Sequence, residues 1–304
     1  MTAAALPMSR PGGRLAQVSL PYLLMAPALL LLTVLTLVPL LYSIVMSFFE
    51  AELGQGLGRF VGFANYVAVL HDARFWNAAW NTVVWVLGSV SSQVVVGVLL
   101  AVALDRLVFA RMFFRGALFL PWVMPVAVIA YLWRWILNPQ NGIVNVTLRN
   151  AGIEWGATAS WLSDPESAMY SALVVNLWRG VPFVFVMVLA ALQGIPKEEY
   201  EAARIAGAGP LREFWYVTLP NLKLIIATIV LLRTMQIANN FSMMWLLTGG
   251  GPAESTEILP ILVYVHAFGA HKFGQASALA VLLLLLLMAI SLIYVRALRE
   301  RRDA

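Results

Sequence analysis

The chain has 304 residues, of which 61% are hydrophobic and only 12% are charged, and its net charge is +5. Soluble domains are about 45–50% apolar and about 25% charged, so this composition indicates a protein that faces lipid. The sequence has no cysteine and only three histidines. These counts exclude disulfides, thiolate metal sites and cysteine nucleophiles, and they disfavour a metal site built from histidine.

Six apolar runs are long enough to cross a bilayer, since a helix needs about 20 residues to span the hydrocarbon core. In chain order they lie near residues 20–46, 78–104, 116–137, 169–193, 222–248 and 274–296. The first run exceeds the apolar part of a secretory signal peptide, which predicts an uncleaved span. The predicted fold is therefore all-α and integral to the membrane, with one transmembrane domain over residues 1–304.

Lys and Arg are distributed unevenly between the two sides of this predicted bundle. Most precede the first span, follow the last, or lie in the loops between spans 2 and 3 and between spans 4 and 5. Short loops rich in these residues remain in the cytoplasm. Both termini and the loop 194–221 are therefore predicted to be cytoplasmic, in the cell membrane of a bacterium. The positive charge follows this topology, and no nucleic-acid partner is expected.

The loop 194–221 begins with a predicted helix. Pro196 suits a first helical turn, and the carboxylate of Glu201 lies in a run of acidic residues at the positive end of the helix dipole. Gly207 can take the left-handed conformation that ends a helix, and Gly209 and Pro210 prevent its immediate continuation. The first helix is therefore expected to end near Gly207.

A second short helix is predicted at Leu211–Leu219, before Pro220 redirects the chain into span 5. Together the two helices would form a helix-turn-helix on the cytoplasmic face. The second helix carries Phe214, Trp215 and Tyr216, which is more aromatic surface than an unpartnered helix usually exposes. An amphipathic loop resting on the bilayer is the alternative interpretation from composition alone.

The spacing in this loop favours the helix-turn-helix. Glu201–Ala203 is followed by three residues and Gly207, and then, after nine intervening residues, by Val217–Pro220. This pattern resembles the EAA loop of permease subunits of ATP-binding-cassette (ABC) importers, in which Ile is commoner at the position of Val217. The resemblance implies that the loop forms coupling helices for a partner ATPase. The residues it assigns to coupling are Glu201, Ala202, Ala203, Gly207, Leu219 and Pro220.

Further segments extend this resemblance across nearly the whole chain, to the carbohydrate-uptake branch of the family, which includes maltose, trehalose and glycerol-3-phosphate permeases. The segments are PYLLMAPALL, FVGFANYVAVL, LPWVMPVAVIAYLWRWILNPQNGIVN, NLWRGVPFVFVMVLAALQGIP and LLTGGGP, and the last is typical of the first permease of a pair. The resemblance implies a six-span core, a second homologous permease subunit, an ABC ATPase dimer and an extracytoplasmic substrate-binding protein. ATP and Mg²⁺ would then bind the ATPase, and this chain would hold no cofactor.

Two arginines lie near the middle of predicted spans, Arg179 in span 4 and Arg233 in span 5. A charge at that depth should face a bundle interior or a water-filled cavity. If span 5 is one helix, a stripe of polar and adaptable side chains shares the face of Arg233. Its members are Gln236, Asn239, Asn240, Met243 and Met244. The stripe predicts a substrate pathway, although the same amides could instead stabilise helix packing.

A second polar patch in span 2 consists of Ser89, Ser92 and Gln93, which we assign to helix contact. For the arginines, a phosphorylated polyol such as glycerol 3-phosphate and a neutral sugar are both compatible substrates. A secondary carrier usually needs an intramembrane carboxylate, and the predicted spans contain none. The sequence also lacks a P-loop and a recognisable catalytic motif, so the chain is expected not to be an enzyme.

Overall fold

The computed structural model describes residues 24–54, 56–106, 111–154 and 156–300. Over these residues the chain is largely helical, with one antiparallel pair of strands, β1 (Phe49–Glu50) and β2 (Arg59–Phe60). Residues 20–23 of the predicted first span lie outside the described ranges. The helices are α1 (Leu24–Met46), α2 (Ala64–His71), α3 (Ala73–Arg106), α4 (Arg111–Val123), α5 (Val126–Ile136), α6 (Ile143–Asn150), α7 (Ala168–Leu192), α8 (Lys197–Ile205), α9 (Pro210–Ala238), α10 (Phe241–Thr248), α11 (Leu259–Gly269) and α12 (Phe273–Glu300).

Among the described helices, five are long and apolar enough to cross a membrane, namely α1, α3, α7, α9 and α12. They contain most of the predicted spans 1, 2, 4, 5 and 6. The all-α integral membrane class is therefore confirmed, whereas a sixth continuous span is not found in this part of the chain. Helix α11 was not predicted, since it lies in the connection between the predicted spans 5 and 6.

The predicted third span, 116–137, is not one helix, so that prediction is wrong. Helix α4 ends at Val123 and α5 begins at Val126, with Pro125 extended between them (φ −57°, ψ 141°). Proline donates no backbone hydrogen bond and disfavours helical geometry in the residue before it. The apolar run is consequently divided into helices of 13 and 11 residues, each shorter than a span.

The region around Pro220 also differs from its prediction. The separate helix expected at Leu211–Leu219 is the first part of α9, which continues without interruption to Ala238. A π-helical turn at Phe214–Thr218 shifts the hydrogen bonding, so that the Leu219 N–H bonds to the Phe214 carbonyl. Pro220 follows at the end of this turn, where its missing N–H is tolerated. The chain is therefore not redirected at Pro220.

Span 5 ends earlier than predicted. Helix α9 stops at Ala238, and α10 begins at Phe241 after a break at Asn239 and Asn240. The Asn240 side chain accepts a hydrogen bond from the Met243 N–H and so caps α10. Asparagine is among the best N-cap residues, because its side-chain oxygen satisfies an otherwise unpaired N–H. The continuous helix predicted over 222–248 is wrong for this reason.

Helices α3 and α7 form the most extensive helix pair, and α9 packs on both. Close approach depends on glycine: a Cβ on Gly180 of α7 would lie 2.2–2.4 Å from Gln93 of α3, and one on Gly97 would lie 2.6 Å from Val184. The bundle has two ends. We call the end with β1, β2 and the loop 249–258 the hairpin end, and the opposite end, with α8, the α8 end. Helices α3, α7 and α9 position the polar groups of the interior.

Candidate functional site

A chain of hydrogen bonds crosses the interior of the bundle. The Arg233 guanidinium on α9 donates from Nε and Nη2 to Gln93 Oε1 on α3, at 2.9 and 2.6 Å, and from Nη1 to Gln236 Oε1 at 2.8 Å. Gln93 Nε2 donates to the Asn176 carbonyl on α7 at 2.9 Å. Asn176 Nδ2 in turn donates to Ser89 Oγ at 2.8 Å. These bonds join α3, α7 and α9 into one network.

The Arg233 side chain is only 6% exposed, yet its partners are neutral. In the part of the chain that the structure describes, it forms no ion pair, and the Phe183 ring lies 5.7 Å from its Cζ. A buried charge is costly unless hydrogen bonds and nearby π electrons compensate for lost hydration. The amide oxygens of Gln93 and Gln236 supply that compensation, so the helix contact assigned to Ser89 and Gln93 is confirmed. The contact of Gln93 with Arg233 was not predicted.

Arg179 lies on α7, immediately before the glycine that contacts Gln93. Its side chain is half-buried, and its Nε is enclosed without a hydrogen-bond partner among the described residues. Arg179 and Arg233 thus bring two guanidinium groups to the centre of the helix bundle. The described residues place no carboxylate against either one. The interior therefore has positive character.

The structure divides the predicted polar stripe. Gln236 and Asn239 are exposed and Asn240 is half-buried, whereas Met243 and Met244 are completely buried in the hydrophobic core. The break before α10 changes the helical phase, so both methionines turn towards the core. Met243 and Met244 therefore do not lie on the exposed polar face. The exposed polar face is limited to the last turn of α9 and the break that follows it.

At the α8 end, Gly207 ends helix α8 as predicted. Its φ is +79°, a left-handed value that is strained for any residue with a Cβ. The Gly207 N–H bonds to the Arg204 carbonyl and the Ala208 N–H to the Ala203 carbonyl, both at 2.9 Å. These two bonds form a Schellman motif, which satisfies the last carbonyls of the helix. The predicted helix and turn are present, although the second helix is continuous with α9.

Three side-chain contacts link α8 to α9. Arg204 Nε donates to Glu213 Oε1 at 2.8 Å, and this bond raises the pKa of the Arg204 guanidinium. Glu213 is only 4% exposed. The other two contacts join the hydroxyls of Tyr200 and Thr218 at 3.1 Å and the side chains of Asn221 and Glu199 at 2.6 Å. Because these contacts extend along the first turns of α9, a displacement of α8 is resisted by α9.

The outer surface of α8 is open. No residue of this helix is buried, and Glu201 and Ala202 are exposed while Ala203 is half-buried. Ile205 at the end of α8 is 90% exposed, and Tyr216 on α9 is 80% exposed. Leu219 is half-buried and Pro220 is exposed on the adjoining turn of α9. Small side chains and exposed apolar ones together make a surface suited to close contact with another protein.

The hairpin end contains an ion pair that sequence reasoning missed. Arg74 at the start of α3 donates to both carboxylate oxygens of Glu257, at 2.7 and 2.8 Å, and Glu257 has a side chain only 3% exposed. Asn81 Nδ2 donates to the backbone carbonyls of Glu254 and Glu257. These bonds fix the loop 249–258 on α3. No signal in the sequence pairs residues so far apart.

Comparison with known proteins identifies the class to which this architecture belongs. Residues 93–303 match the family of binding-protein-dependent transport system inner membrane components, and the chain belongs to that family. The family is a transport component rather than a catalytic one. The resemblance stated from the EAA spacing is thereby confirmed.

Individual relatives cover nearly the whole chain. It is 34% identical to the sulfoquinovosyl glycerol transport system permease protein SmoG of Agrobacterium fabrum, over 93% of this chain and 91% of that protein. It is 30% identical to the trehalose/maltose transport system permease protein MalF of Thermococcus litoralis, over 94% and 96%. The fold is also that of a chain in a bacterial alginate ABC transporter solved with an alginate pentasaccharide-bound periplasmic protein, with a TM-score of 0.82, 21% identity and coverage of 94% and 96%.

Proposed function

We propose that this chain is a permease subunit of an ATP-driven importer and forms half of the pathway for a sugar or oligosaccharide. The permeases SmoG and MalF, which support this proposal, are named for transport of a sulfoquinovosyl glycerol and of trehalose and maltose. In the bacterial inner membrane, a second homologous permease would complete the pathway, and an extracytoplasmic binding protein would deliver the substrate. Both termini and α8 would face the cytoplasm.

The observation that carries the proposal is the braced, outward-facing α8. An element that receives force from a partner must offer an open surface and a stiff connection to the rest of the bundle. Helix α8 has both, since Glu201 is exposed and the Arg204–Glu213 pair ties the helix to α9. We propose that an ABC ATPase dimer, with its ATP and Mg²⁺, contacts Glu201–Ala203 and Gly207, with Leu219 and Pro220 at the edge of the same surface.

Within the membrane, the proposed pathway wall comprises Gln236, Asn239 and Asn240, with Arg233 and Arg179 behind it. Amide donors and acceptors can replace water around sugar hydroxyls. Arg233 is already bonded to two glutamine oxygens, so its principal effect on a substrate would be electrostatic. Import of glycerol 3-phosphate or a related polyol phosphate by the same type of complex is the second candidate, and the two guanidinium groups favour it.

The test measures ATP-driven uptake by proteoliposomes that contain ATP and are given the substrate-bound binding protein outside. Inverted membrane vesicles would not report import directly. Gly207→Ala strains the α8 turn, and Glu201→Gln removes the exposed carboxylate. We expect both variants to insert and to assemble with the second permease, but to lose most of their ATP-driven uptake. Glu198→Gln, one turn earlier on α8, is the matched control and should transport normally.

Normal uptake by the Gly207→Ala and Glu201→Gln variants would show that α8 does not couple to the ATPase. A secondary carrier would instead accumulate substrate from an ion gradient without ATP. Replacing internal ATP by a non-hydrolysable analogue, with and without a proton gradient, separates these two mechanisms in the same preparation. Comparing a labelled disaccharide with labelled glycerol 3-phosphate then separates the two candidate substrates.

A further inference from the structure

A cavity of about 540 Å³ opens at the hairpin end, between the final turns of α5 and α10. Its polar walls include Arg134, Asn138 and Ser163, and its aromatic walls are Tyr131 and Trp245. The volume is within the range of about 300–1,000 Å³ that is usual for small-molecule sites. The cavity lies beyond Asn240 on α10, so it is separate from the polar groups of the interior.

Arg134 gives the cavity a positive charge with little internal compensation. Its side chain is exposed, and its single hydrogen bond among the described residues is a long one, from Nη1 to the Leu246 carbonyl at 3.5 Å. A guanidinium carries five N–H donors, so most of its capacity remains for a ligand. No Asp or Glu is among the residues that line the cavity. A carboxylate on a ligand would therefore meet a cation without a competing protein carboxylate.

Asn138 adds a neutral donor to the same wall. Its Oδ1 accepts hydrogen bonds from the backbone N–H groups of Gln140 and Asn141, both at 3.0 Å. These bonds fix the orientation of the amide, and the Nδ2 N–H groups remain able to donate to a ligand. The Ser163 hydroxyl lies on the same cavity and is exposed. Donors thus predominate in the polar part of the lining, as an anionic, hydroxyl-rich ligand requires.

The Trp245 ring is held in place by two other rings. It stacks on Phe241 with centroids 5.5 Å apart and planes at 19°, and it contacts Tyr264 with centroids 4.8 Å apart. A ring fixed in this way offers a rigid apolar surface without losing conformational freedom when a ligand arrives. The C–H faces of a pyranose ring are apolar and flat enough to pack on such a surface.

We propose that this cavity is an outer binding site for an anionic pyranoside. The carboxylate of the sugar binds Arg134, its ring packs on Trp245, and its hydroxyls accept from Asn138. The site receives the sugar before it reaches the interior face around Asn240. This inference rests on the proposed transport function, which it deepens by naming an acidic sugar as the substrate class. A polyol phosphate is also an anion but has no pyranose ring, so its binding does not depend on Trp245.

The absence of cysteine allows a direct binding test. Ser163→Cys places the only thiol of this chain on the cavity wall, and its alkylation by a neutral maleimide is followed on this chain in the assembled permease–ATPase complex, without the binding protein. Methyl glucuronoside and methyl glucoside are the probes, since they differ at one carboxylate. We expect the glucuronoside to protect the thiol at a concentration about tenfold lower than the glucoside, because a charge-assisted hydrogen bond adds at least that discrimination.

Substitutions at two residues, Arg134 and Trp245, in the Ser163→Cys background show which side chains cause the protection. Arg134→Gln should abolish the preference for the glucuronoside. Trp245→Ala should weaken the protection by both glycosides, whereas Trp245→Phe should retain it. Arg149→Gln is the matched control, since Arg149 also bonds a backbone carbonyl at the hairpin end but does not line the cavity. If Ser163→Cys fails to assemble, Leu162→Cys on the same wall repeats the measurement.

Equal protection by the two glycosides would overturn the inference. An equal loss of the preference for the glucuronoside in Arg134→Gln and Arg149→Gln would also overturn it. Protection by glycerol 3-phosphate as strong as that by the glucuronoside would also overturn it, because the ring would then contribute nothing. The proposed function is judged separately, by ATP-driven uptake in proteoliposomes. Protection without uptake would reject that function alone, and uptake without protection would reject this site alone.

Discussion

Replacing Gly180 by alanine tests the contact that joins α7 to α3. The new Cβ would lie 2.2–2.4 Å from the amide group of Gln93, well inside van der Waals contact. Gln93 cannot move without loosening its two bonds from Arg233, at 2.6 and 2.9 Å, and its own bond to the Asn176 carbonyl. The substitution therefore acts on the buried charge and not only on packing.

The expected magnitude follows from three contributions. Overpacking in a filled interior costs about 1–3 kcal/mol, and each hydrogen bond from a charged donor contributes about 1.5–3 kcal/mol. Alanine in a helix gains about 0.5–1 kcal/mol over glycine. Because Gln236 continues to hold Arg233 from the other side, we expect the free energy of unfolding to fall by about 3 kcal/mol rather than by the full sum.

Equilibrium unfolding in mixed micelles measures this free energy. Gly116→Ala is the matched control, since a Cβ on that helical glycine meets no atom within 4 Å, and it should be neutral or stabilising. In the Gln93→Ala background, Gly180→Ala should cost nothing further, because the clashing atoms are gone. An equal cost in both backgrounds, or an unchanged stability in the single variant, would refute the reasoning.

Three further substitutions, one of them with a control variant, are measured by the same unfolding equilibrium. Asn240→Ala removes the cap of α10 and should cost about 1 kcal/mol; no change would mean that the α9–α10 break is set by other contacts. Arg74→Gln leaves Glu257 buried without its cation and should cost about 3 kcal/mol, whereas Arg59→Gln, whose partner is exposed, should cost under about 0.5 kcal/mol. Met243→Ala should cost about 2–5 kcal/mol as a core cavity; a stable variant with altered uptake would restore Met243 to the pathway.

Hydropathy predicted where the apolar segments lie, but not where their backbone is broken. The run 116–137 has no charged residue other than Arg134, and only Pro125 marks the point at which α4 and α5 separate. The adjacent Asn239 and Asn240 are likewise a helix-stop and N-cap signal inside an otherwise continuous run. Conversely, Pro220 resembles a helix boundary in the sequence and is not one. It follows a π-helical turn, at the end of which its missing N–H is tolerated. Local signals of this kind need the surrounding hydrogen bonds before they can be interpreted.

The candidate site shows the same division between local and distant information. The Gly207 turn was predictable, since its geometry depends on neighbours within five residues. The Gln93 partner of Arg233 was not, because Gln93 is 140 residues away and its polar patch fits ordinary helix packing. Burial of Met243 and Met244 also depends on the helical phase after the break. Sequence patterns therefore located the arginine correctly but could not say which oxygen atoms satisfy it.

These contacts also determine how a displacement of α8 would pass through the bundle. Helix α8 is tied to the first turns of α9 through Arg204 and Glu213, and α9 continues unbroken from Pro210 to Ala238. Further along, Arg233 binds α9 to α3 by two hydrogen bonds from a buried charge. Sliding α9 past α3 would break both of these buried bonds, so they oppose relative movement of the two helices. Beyond Arg233, the first interruption of the helical backbone on this path lies at Asn239 and Asn240.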